Sequence, residues 1–374
     1  MLLRPIQRYM SPLVYRAMST GAERTVISEE LGSDKGVITL NRQKALNAIN
    51  LDMVRQIYAV MKQWQNTKSL VIVKGAGEKS FCAGGDVRAI VENGPVDSSR
   101  NFFREEYRLN ELIGTYKPDY VAIIDGITMG GGVGLSVHGK YRVATERTMF
   151  AMPETAIGLF PDVGGGFFLP RLQGKLGLFL GLTGYRLKGK DVMKAGIATH
   201  YVESKNLEAL EKELVAARNS SDVSNILNKF NANDSSEFTL AKELKQIDEC
   251  FDASTVEDIF ANLEKDGSSW AKSTLQTMAK MSPTSLKVTK KQLDLGVQCD
   301  LRSCLKMEFR MAVHSVIGSD FEEGVRAMLI DRDQNPKWNP AKLSEVTQSH
   351  VDRFFGPLPD GDELVFDNEA KANL

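Results

Sequence analysis

Two apolar runs, each followed at once by a glycine-rich loop, constrain the fold of this chain more than any other feature of its sequence. The first run spans residues 69–74 and its loop extends to Asp86, while the second spans residues 120–125 and leads into the triplet Gly130-Gly131-Gly132. Short β-rich runs that alternate with helical periodicity are typical of α/β proteins. The sequence therefore predicts an α/β core.

Helical periodicity marks the segments between and after the predicted strands. After Asn50, a predicted N-cap, apolar residues recur at a spacing of three or four from Val54 to Trp64. Beyond residue 205 the strand signals fade. Amphipathic helices are predicted there at residues 207–217, 237–251, 255–264, 301–316 and 321–331. We therefore expect a core over residues 25–205 and a helical C-terminal region over residues 206–374.

The charge of the chain is balanced, with 47 Lys and Arg against 48 Asp and Glu. No overall basic excess is present to bind nucleic acid, so local groups must hold any anionic ligand. The four cysteines form no CxxC pair and the four histidines lie far apart, which predicts neither a metal site nor a disulfide framework. The longest apolar stretch, residues 120–137, contains Asp125 and five glycines, so no membrane span is expected.

The first 22 residues differ from the rest of the chain in charge. They contain three arginines, and the first acidic residue is Glu23. Read as a helix, the segment has an apolar face beside its arginines, which is typical of a mitochondrial transit peptide, whereas a frayed basic terminus is the alternative. We predict that residues 1–22 direct the protein to the mitochondrial matrix and do not belong to the fold.

The two glycine-rich loops have two alternative interpretations. Neither loop fits nucleotide binding, because Glu78 stands where a P-loop has its last glycine and the glycine triplet lacks GxGxxG spacing. Residues 82–86 and 129–132 could each present a backbone N–H to one oxygen and so form an oxyanion hole. The alternative is that the glycines only permit tight packing between helix and strand, which the spacing alone favours.

Five motifs in the same order resemble the crotonase superfamily over nearly the whole chain. They are residues 41–48, 74–86, 126–132, 152–165 and 321–327. Within the superfamily, residues 103–107, 152–171 and 281–286 are similar to the 3-hydroxyisobutyryl-CoA hydrolases. The resemblance implies a spiral of ββα units with a helical C-terminal region. It also implies hydrolysis of the 3-hydroxyisobutyryl-CoA thioester in valine catabolism, with coenzyme A as part of the substrate and without a metal or redox cofactor.

The resemblance also assigns roles to individual residues. The oxyanion hole falls on the backbone N–H groups of Gly85 and Gly131, and Gly131 also binds substrate. Glu154 is expected to be the general base or the nucleophile, Asp162 a second catalytic acid, and Glu106 a further acid of the acyl pocket. Because the hydratases have no carboxylate at the position of Asp162, we predict that Asp162 recognises the 3-hydroxyl or its protonation. The residues expected to bind coenzyme A are Lys44, Ala45, Leu46, Lys79 and Ala83. Without the resemblance, Glu154 could be a carboxylate that initiates a helix, Asp162 an ordinary turn residue, and Glu106 a solvated charge on a helix surface.

One position departs from the enoyl-CoA hydratases of the superfamily. They carry a glutamate two residues after the third glycine of the triplet, where this chain has Gly134. One of the two hydratase carboxylates is therefore missing. Two alternatives to a hydrolase stay open, namely an enoyl- or dienoyl-CoA isomerase and a non-catalytic crotonase-like subunit of a mitochondrial assembly. The chain could also form a homo-oligomer.

Overall fold

A computed structural model of the chain describes residues 24–93, 96–232, 235–359 and 361–370. The predicted transit peptide, residues 1–22, lies outside the described residues. The strands are β1 (Val26–Leu31), β2 (Lys35–Leu40), β3 (Leu70–Gly75), β4 (Ser80–Cys82), β5 (Asp119–Ile124), β6 (Ile127–Met129), β7 (Tyr141–Ala144), β8 (Met149–Ala151), β9 (Leu187–Lys188) and β10 (His200–Tyr201).

The helices lie after the strands in the first half of the chain and dominate the second half. The α-helices are α1 (Leu51–Trp64), α2 (Val87–Asn93), α3 (Val96–Gly114), α4 (Gly131–Gly134), α5 (Gly165–Phe168), α6 (Leu176–Thr183), α7 (Lys190–Lys194), α8 (Leu207–Ala216), α9 (Ser220–Phe230), α10 (Leu244–Phe251), α11 (Val256–Asp266), α12 (Ser269–Met278), α13 (Pro283–Gly296), α14 (Leu301–Ile317), α15 (Ser319–Val325), α16 (Gln348–Arg353) and α17 (Asp367–Ala370). Short 3₁₀-helices occupy Gln43–Ala45, Glu154–Ile157, Leu169–Arg171, Ser204–Asn206 and Leu343–Glu345, and a π-helical turn covers Arg326–Ile330.

In the described part of the chain the strands form two sheets. The larger has the order β1-β2-β3-β5-β7-β10 and the smaller the order β4-β6-β8-β9. The consecutive pairs β3/β4, β5/β6 and β7/β8 each give one strand to each sheet, and helical segments follow each pair. This arrangement is the spiral of ββα units that the resemblance implied, so the prediction of an α/β fold with this architecture is confirmed.

Apolar sequence explains why the central strands and the first helix form where they do. The side chains of residues 70–73 in β3 are all buried, which is typical of a parallel strand covered on both faces. Asn50 is the N-cap of α1, as predicted, and its side-chain oxygen accepts the Met53 N–H at 3.0 Å. Val54 and Ile57 then lie on the buried face of this helix.

The C-terminal helices share the hydrophobic core of the ββα units. Helix α14 packs along α3, and α13 packs on α5 and α6. One hydrophobic cluster contains Phe179 before residue 205 as well as Phe251 and Phe309 after it. The helical character predicted after residue 205 is confirmed, while the boundary there stays a prediction. No helix among the described residues is long and apolar enough to span a membrane.

Two predicted helices differ from the structure at their ends. The helix expected from residue 237 begins at Leu244, because residues 239–243 form turns before it. The helix expected over residues 321–331 spans Ser319–Val325 and then widens into the π-helical turn. Amphipathic spacing predicts the buried face of such a segment better than the residue where its hydrogen bonding changes.

Candidate active site

The two glycine-rich loops meet at one point in the structure. Gly85 follows β4 and pairs with Ile49, and Gly131 begins α4 directly after β6. A Cβ atom placed on Gly131 would lie 3.1 Å from the backbone nitrogen of Gly85, so the two backbones approach closely. Gly130 has a φ of +45°, which a side chain would disfavour. The backbones that carry the N–H groups proposed for the oxyanion hole are therefore close together, as that interpretation requires.

Three buried carboxyl groups surround this point. Glu106 lies on α3, Glu154 begins the 3₁₀-helix after β8, and Asp162 lies in the loop before α5. Their exposed fractions are 2%, 5% and 5%, respectively. Oε1 of Glu106 would be 2.6 Å from a Cβ on Gly131, and Oε1 of Glu154 would be 2.9 Å from a Cβ on Gly130. The fold thus places two of the predicted acids beside the glycine triplet.

The carboxyl groups change one another's ionisation. Burial and then the charges of Asp162 and Glu154 raise the pKa of Glu106 well above its usual range. Burial and the charge of Asp162 likewise raise the pKa of Glu154. Burial raises the pKa of Asp162 to about 7, although its hydrogen bond with Tyr107 opposes the shift. Because buried like charges cannot all ionise, the three groups titrate as one cluster.

Hydrogen bonding distinguishes Asp162 from the two glutamates. The phenol of Tyr107 donates to Oδ2 of Asp162 at 2.9 Å, a contact that sequence reasoning missed. In the part of the chain that the structure describes, Oε1 of Glu106 and Oε2 of Glu154 are buried without a hydrogen-bond partner. Buried carboxylate oxygens normally have partners, so these two atoms are available to a substrate or to water.

A groove suited to an extended ligand borders the first glycine-rich loop. The chain around Leu46 runs beside this loop, with the Ala83 N–H donating to the Leu46 carbonyl at 3.0 Å. A neighbouring cavity has a volume of about 460 Å³. Its lining residues include Lys44, Leu46 and Lys79. Ala45 lies in the 3₁₀-helix between Lys44 and Leu46. The structure therefore brings Lys44, Leu46 and Lys79 to one cavity, and Ala45 and Ala83 lie next to Leu46.

Glu308 on α14 is a further buried acid that sequence reasoning missed. Its Oε2 accepts the Gly164 N–H at 2.7 Å and its Oε1 accepts the Gly166 N–H at 2.8 Å. Burial raises the pKa of Glu308 to about 8, while the two backbone N–H groups oppose the shift. The C-terminal region thereby fixes the loop that carries Asp162.

Gln292 on α13 reinforces the same loop. Its Nε2 donates to the Pro161 carbonyl at 2.7 Å and to Oε1 of Glu308 at 3.0 Å. One feature of the sequence could have pointed to Glu308. It stands among apolar residues of α14, where Leu305 and Phe309 are also buried. A charged residue on an apolar helix face needs a partner, but the spacing cannot say which one.

The position where hydratases have a second carboxylate is filled by other side chains. A Cβ on Gly134 would lie 2.7 Å from Nδ2 of Asn110 and 2.7 Å from Cβ of Val163. Backbone and side chains would have to shift to admit any larger residue. The departure at Gly134 is thus part of the packing of this site.

Comparisons with known proteins show the family of this chain. The model of the enoyl-CoA hydratase/isomerase family matches residues 35–355. A relative from Danio rerio is 54% identical over 92% of this chain and 93% of its own, and one from Xenopus laevis is 57% identical over 86% of each. Both are named 3-hydroxyisobutyryl-CoA hydrolase, mitochondrial. The chain belongs to the 3-hydroxyisobutyryl-CoA hydrolase branch of the enoyl-CoA hydratase/isomerase family.

A solved structure supports the same fold for this member of the enoyl-CoA hydratase/isomerase family. A carnitinyl-CoA dehydratase from Mycobacterium thermoresistibile superposes with a TM-score of 0.86 at 38% identity, covering 93% of this chain and all of the other. The resemblance inferred from the five motifs is therefore confirmed. The roles of individual site residues stay predictions, although the fold brings the predicted residues together.

Proposed function

We propose that this chain hydrolyses 3-hydroxyisobutyryl-CoA to 3-hydroxyisobutyrate and free coenzyme A in valine catabolism. The observation that carries the proposal is the convergence of Gly85, Gly131 and Glu154 in one buried site, in a chain similar to hydrolases of that name. Those relatives are named mitochondrial, which supports a mitochondrial location, and we propose the matrix as the compartment. The reaction needs no cofactor beyond the coenzyme A of the substrate.

The thioester carbonyl enters between the two glycine-rich loops. The N–H groups of Gly85 and Gly131 donate to its oxygen and stabilise the negative charge that develops there. Glu154 takes a proton from a water molecule whose oxygen bonds to the carbonyl carbon. The C–S bond then breaks, and coenzyme A leaves as a thiolate that takes up a proton. In a second route, a carboxylate oxygen of Glu154 attacks the carbonyl carbon, the C–S bond breaks as coenzyme A leaves as a thiolate, and water then opens the resulting anhydride and regenerates the carboxylate.

The remaining polar groups bind the two ends of the substrate. Lys44 and Lys79 provide local positive charge for the phosphates of coenzyme A. The chain as a whole provides none, because its net charge is balanced. Glu106 and Asp162 face the acyl group from α3 and from the loop before α5. Because Glu106 is buried with a raised pKa, it can hold a proton and donate a hydrogen bond, while Asp162 can accept one at the oxygen that does not bind Tyr107.

Product analysis tests this function directly. Purified protein is incubated with 3-hydroxyisobutyryl-CoA, free thiol is followed with a thiol-reactive chromophore, and the acid product is identified by mass spectrometry. We expect one thiol and one molecule of 3-hydroxyisobutyrate for each thioester consumed. Consumption without thiol, or no consumption at all, would contradict the proposal.

An acyl-CoA isomerase is the second candidate, because Glu154 and Asp162 both lie in the buried acid cluster and could move a proton between two carbons. The same oxyanion hole would then stabilise an enolate. A shift of a double bond in an enoyl-CoA without thiol release would favour this function. A non-catalytic role is disfavoured by the intact glycine and acid positions, and failure to bind any acyl-CoA would favour it.

Hydration of enoyl-CoA should be negligible compared with hydrolysis. Water addition in this family uses two carboxylates. In this chain Gly134 replaces the second carboxylate, and the space beside it is filled by Asn110 and Val163. The measurement is loss of the conjugated thioester absorbance of crotonyl-CoA, with thiol release from 3-hydroxyisobutyryl-CoA as the reference rate. Hydration as fast as hydrolysis would show that another group supplies the missing carboxylate.

Turnover should increase with pH, and the midpoint of this increase should give an apparent pKa well above that of an ordinary carboxyl group. Glu154 acts as a base or nucleophile only when ionised, and burial and Asp162 raise its pKa, while the pKa of Asp162 itself is about 7. Lowering the pH protonates the cluster and removes activity. The measurement is kcat/KM for 3-hydroxyisobutyryl-CoA from pH 5 to 8. A rate independent of pH over this range would mean that Glu154 ionises at its ordinary pKa.

A further inference from the structure

Asn110 is a fully buried polar residue that the mechanism above does not use. Its exposed fraction is 0%, and neither atom of its side-chain amide has a hydrogen-bond partner within the described parts of the chain. An amide that loses water and gains no partner destabilises a folded protein, so such residues are rare. This cost indicates that the amide of Asn110 has a partner outside the polypeptide.

Asn110 lies near two members of the acid cluster. It lies on α3 one helical turn after Glu106, and therefore on the same face of the helix. Its Nδ2 is the nearest neighbour of a Cβ placed on Gly134, together with Cβ of Val163, the residue that follows Asp162. The amide thus lies between the helix of the second glycine-rich loop and the loop of Asp162.

The acyl group of the proposed substrate carries a group that matches this amide. A hydroxyl has one donor and two acceptor lone pairs. Asp162, whose Oδ2 already accepts the Tyr107 phenol, can accept the hydroxyl hydrogen at its other oxygen. The Nδ2 of an asparagine can donate to the hydroxyl oxygen. We propose that Asn110 is a specificity-determining residue that donates a hydrogen bond to the 3-hydroxyl of the acyl group, an inference that rests on the proposed function.

The chemistry of an amide limits Asn110 to recognition. An asparagine side chain neither gains nor loses a proton at neutral pH, so it cannot replace Glu154 as base or nucleophile. A substrate without the hydroxyl leaves the buried amide unpaired, and sites of this kind discriminate strongly against such analogues. Asn110 should therefore affect the choice between acyl groups more than the hydrolysis of the thioester.

The test compares two substrates that differ only in the hydroxyl. For wild type and Asn110→Ala, kcat/KM for thiol release is measured with 3-hydroxyisobutyryl-CoA and with isobutyryl-CoA. Asn101→Ala is the matched control, because Asn101 is exposed on the same helix. We expect Asn110→Ala to lose roughly 10- to 100-fold with the hydroxylated substrate and little with isobutyryl-CoA. The melting temperature should fall only slightly, since the substitution leaves a small cavity but removes no hydrogen bond among the described residues.

Asn110→Ser provides a second variant whose shorter hydroxyl retains a donor. It should keep part of the preference for 3-hydroxyisobutyryl-CoA, and it carries the test by the same criterion if the alanine variant fails to fold. An equal loss with both substrates, or no loss with either, would overturn the role of Asn110 and leave the proposed function in place. Wild-type protein that releases no thiol from 3-hydroxyisobutyryl-CoA would overturn both.

Discussion

Replacing Glu154 with glutamine should lower kcat for 3-hydroxyisobutyryl-CoA by roughly 10²–10⁴, the usual effect of a positioned acid or base. The amide has nearly the shape of the carboxyl group but can neither take up a proton nor attack the thioester. Oε2 of Glu154 has no partner among the described residues, so the substitution breaks no hydrogen bond at that atom. The measurement is thiol release under saturating substrate.

Measurements of stability and of coenzyme A binding distinguish a loss of catalysis in the Glu154→Gln variant from a loss of structure. We expect Glu154→Gln to unfold at the wild-type urea concentration or above, because it removes one of three buried acids, and the charge of Glu154 raises the pKa of Glu106. Coenzyme A should bind as it does to wild type. Glu264→Gln is the matched control, since Glu264 is exposed on α11. Near-wild-type turnover in the Glu154 variant would show that another group is the base or nucleophile.

Replacing Gly131 with alanine keeps the backbone N–H but should disturb its contact with the carbonyl oxygen, so kcat should fall by roughly 10²–10³, the usual effect of losing an oxyanion donor. The added methyl would lie 2.6 Å from Oε1 of Glu106, 3.0 Å from Cδ1 of Ile49 and 3.1 Å from the nitrogen of Gly85. These distances are shorter than ordinary contacts, so the methyl displaces neighbours or enters the space for the carbonyl oxygen. Thiol release from 3-hydroxyisobutyryl-CoA is again the measurement.

Gly318→Ala provides the control for adding a methyl group. Gly318 is exposed, and its added Cβ would lie 3.4 Å from its nearest neighbour, which is an ordinary contact. We expect this variant to keep wild-type turnover. Circular dichroism and thermal melting show whether Gly131→Ala still folds. If it folds and hydrolyses the thioester at the wild-type rate, the carbonyl oxygen does not bind between Gly85 and Gly131.

The sequence predicts an α/β core because its signals are local, whereas only the resemblance to the crotonase superfamily implied the spiral of ββα units. The apolar run in β3 and the N-cap Asn50 each act within a few residues, and the structure confirms both. The glycines of both loops could equally have served packing until the ordered motifs of a family assigned them a role. Their close approach in the structure, with Gly85 beside Gly131, is what that role requires, and the role itself stays a prediction.

The parts of the site that escaped prediction depend on partners distant in sequence. Glu308 accepts the Gly164 N–H from a residue 144 positions away in the sequence, and the Tyr107 phenol donates to Asp162, which is 55 positions away. A spacing pattern records which face of a helix is buried, but it carries no information about which loop will lie against that face. Asn110 escaped for the same reason, since its place beside Gly134 follows only from the packing of α3 on α4.

The most direct test of the account is the specificity of thiol release across three acyl-CoA esters. The kcat/KM of the wild-type protein is compared for 3-hydroxyisobutyryl-CoA, for isobutyryl-CoA without the hydroxyl, and for the unsaturated analogue. We expect 3-hydroxyisobutyryl-CoA to give the highest kcat/KM for thiol release. Only this ester can bind its carbonyl in the oxyanion hole and its hydroxyl to the polar groups of the acyl pocket at the same time. Equal values for the three esters, or no thiol from the hydroxylated one, would contradict it.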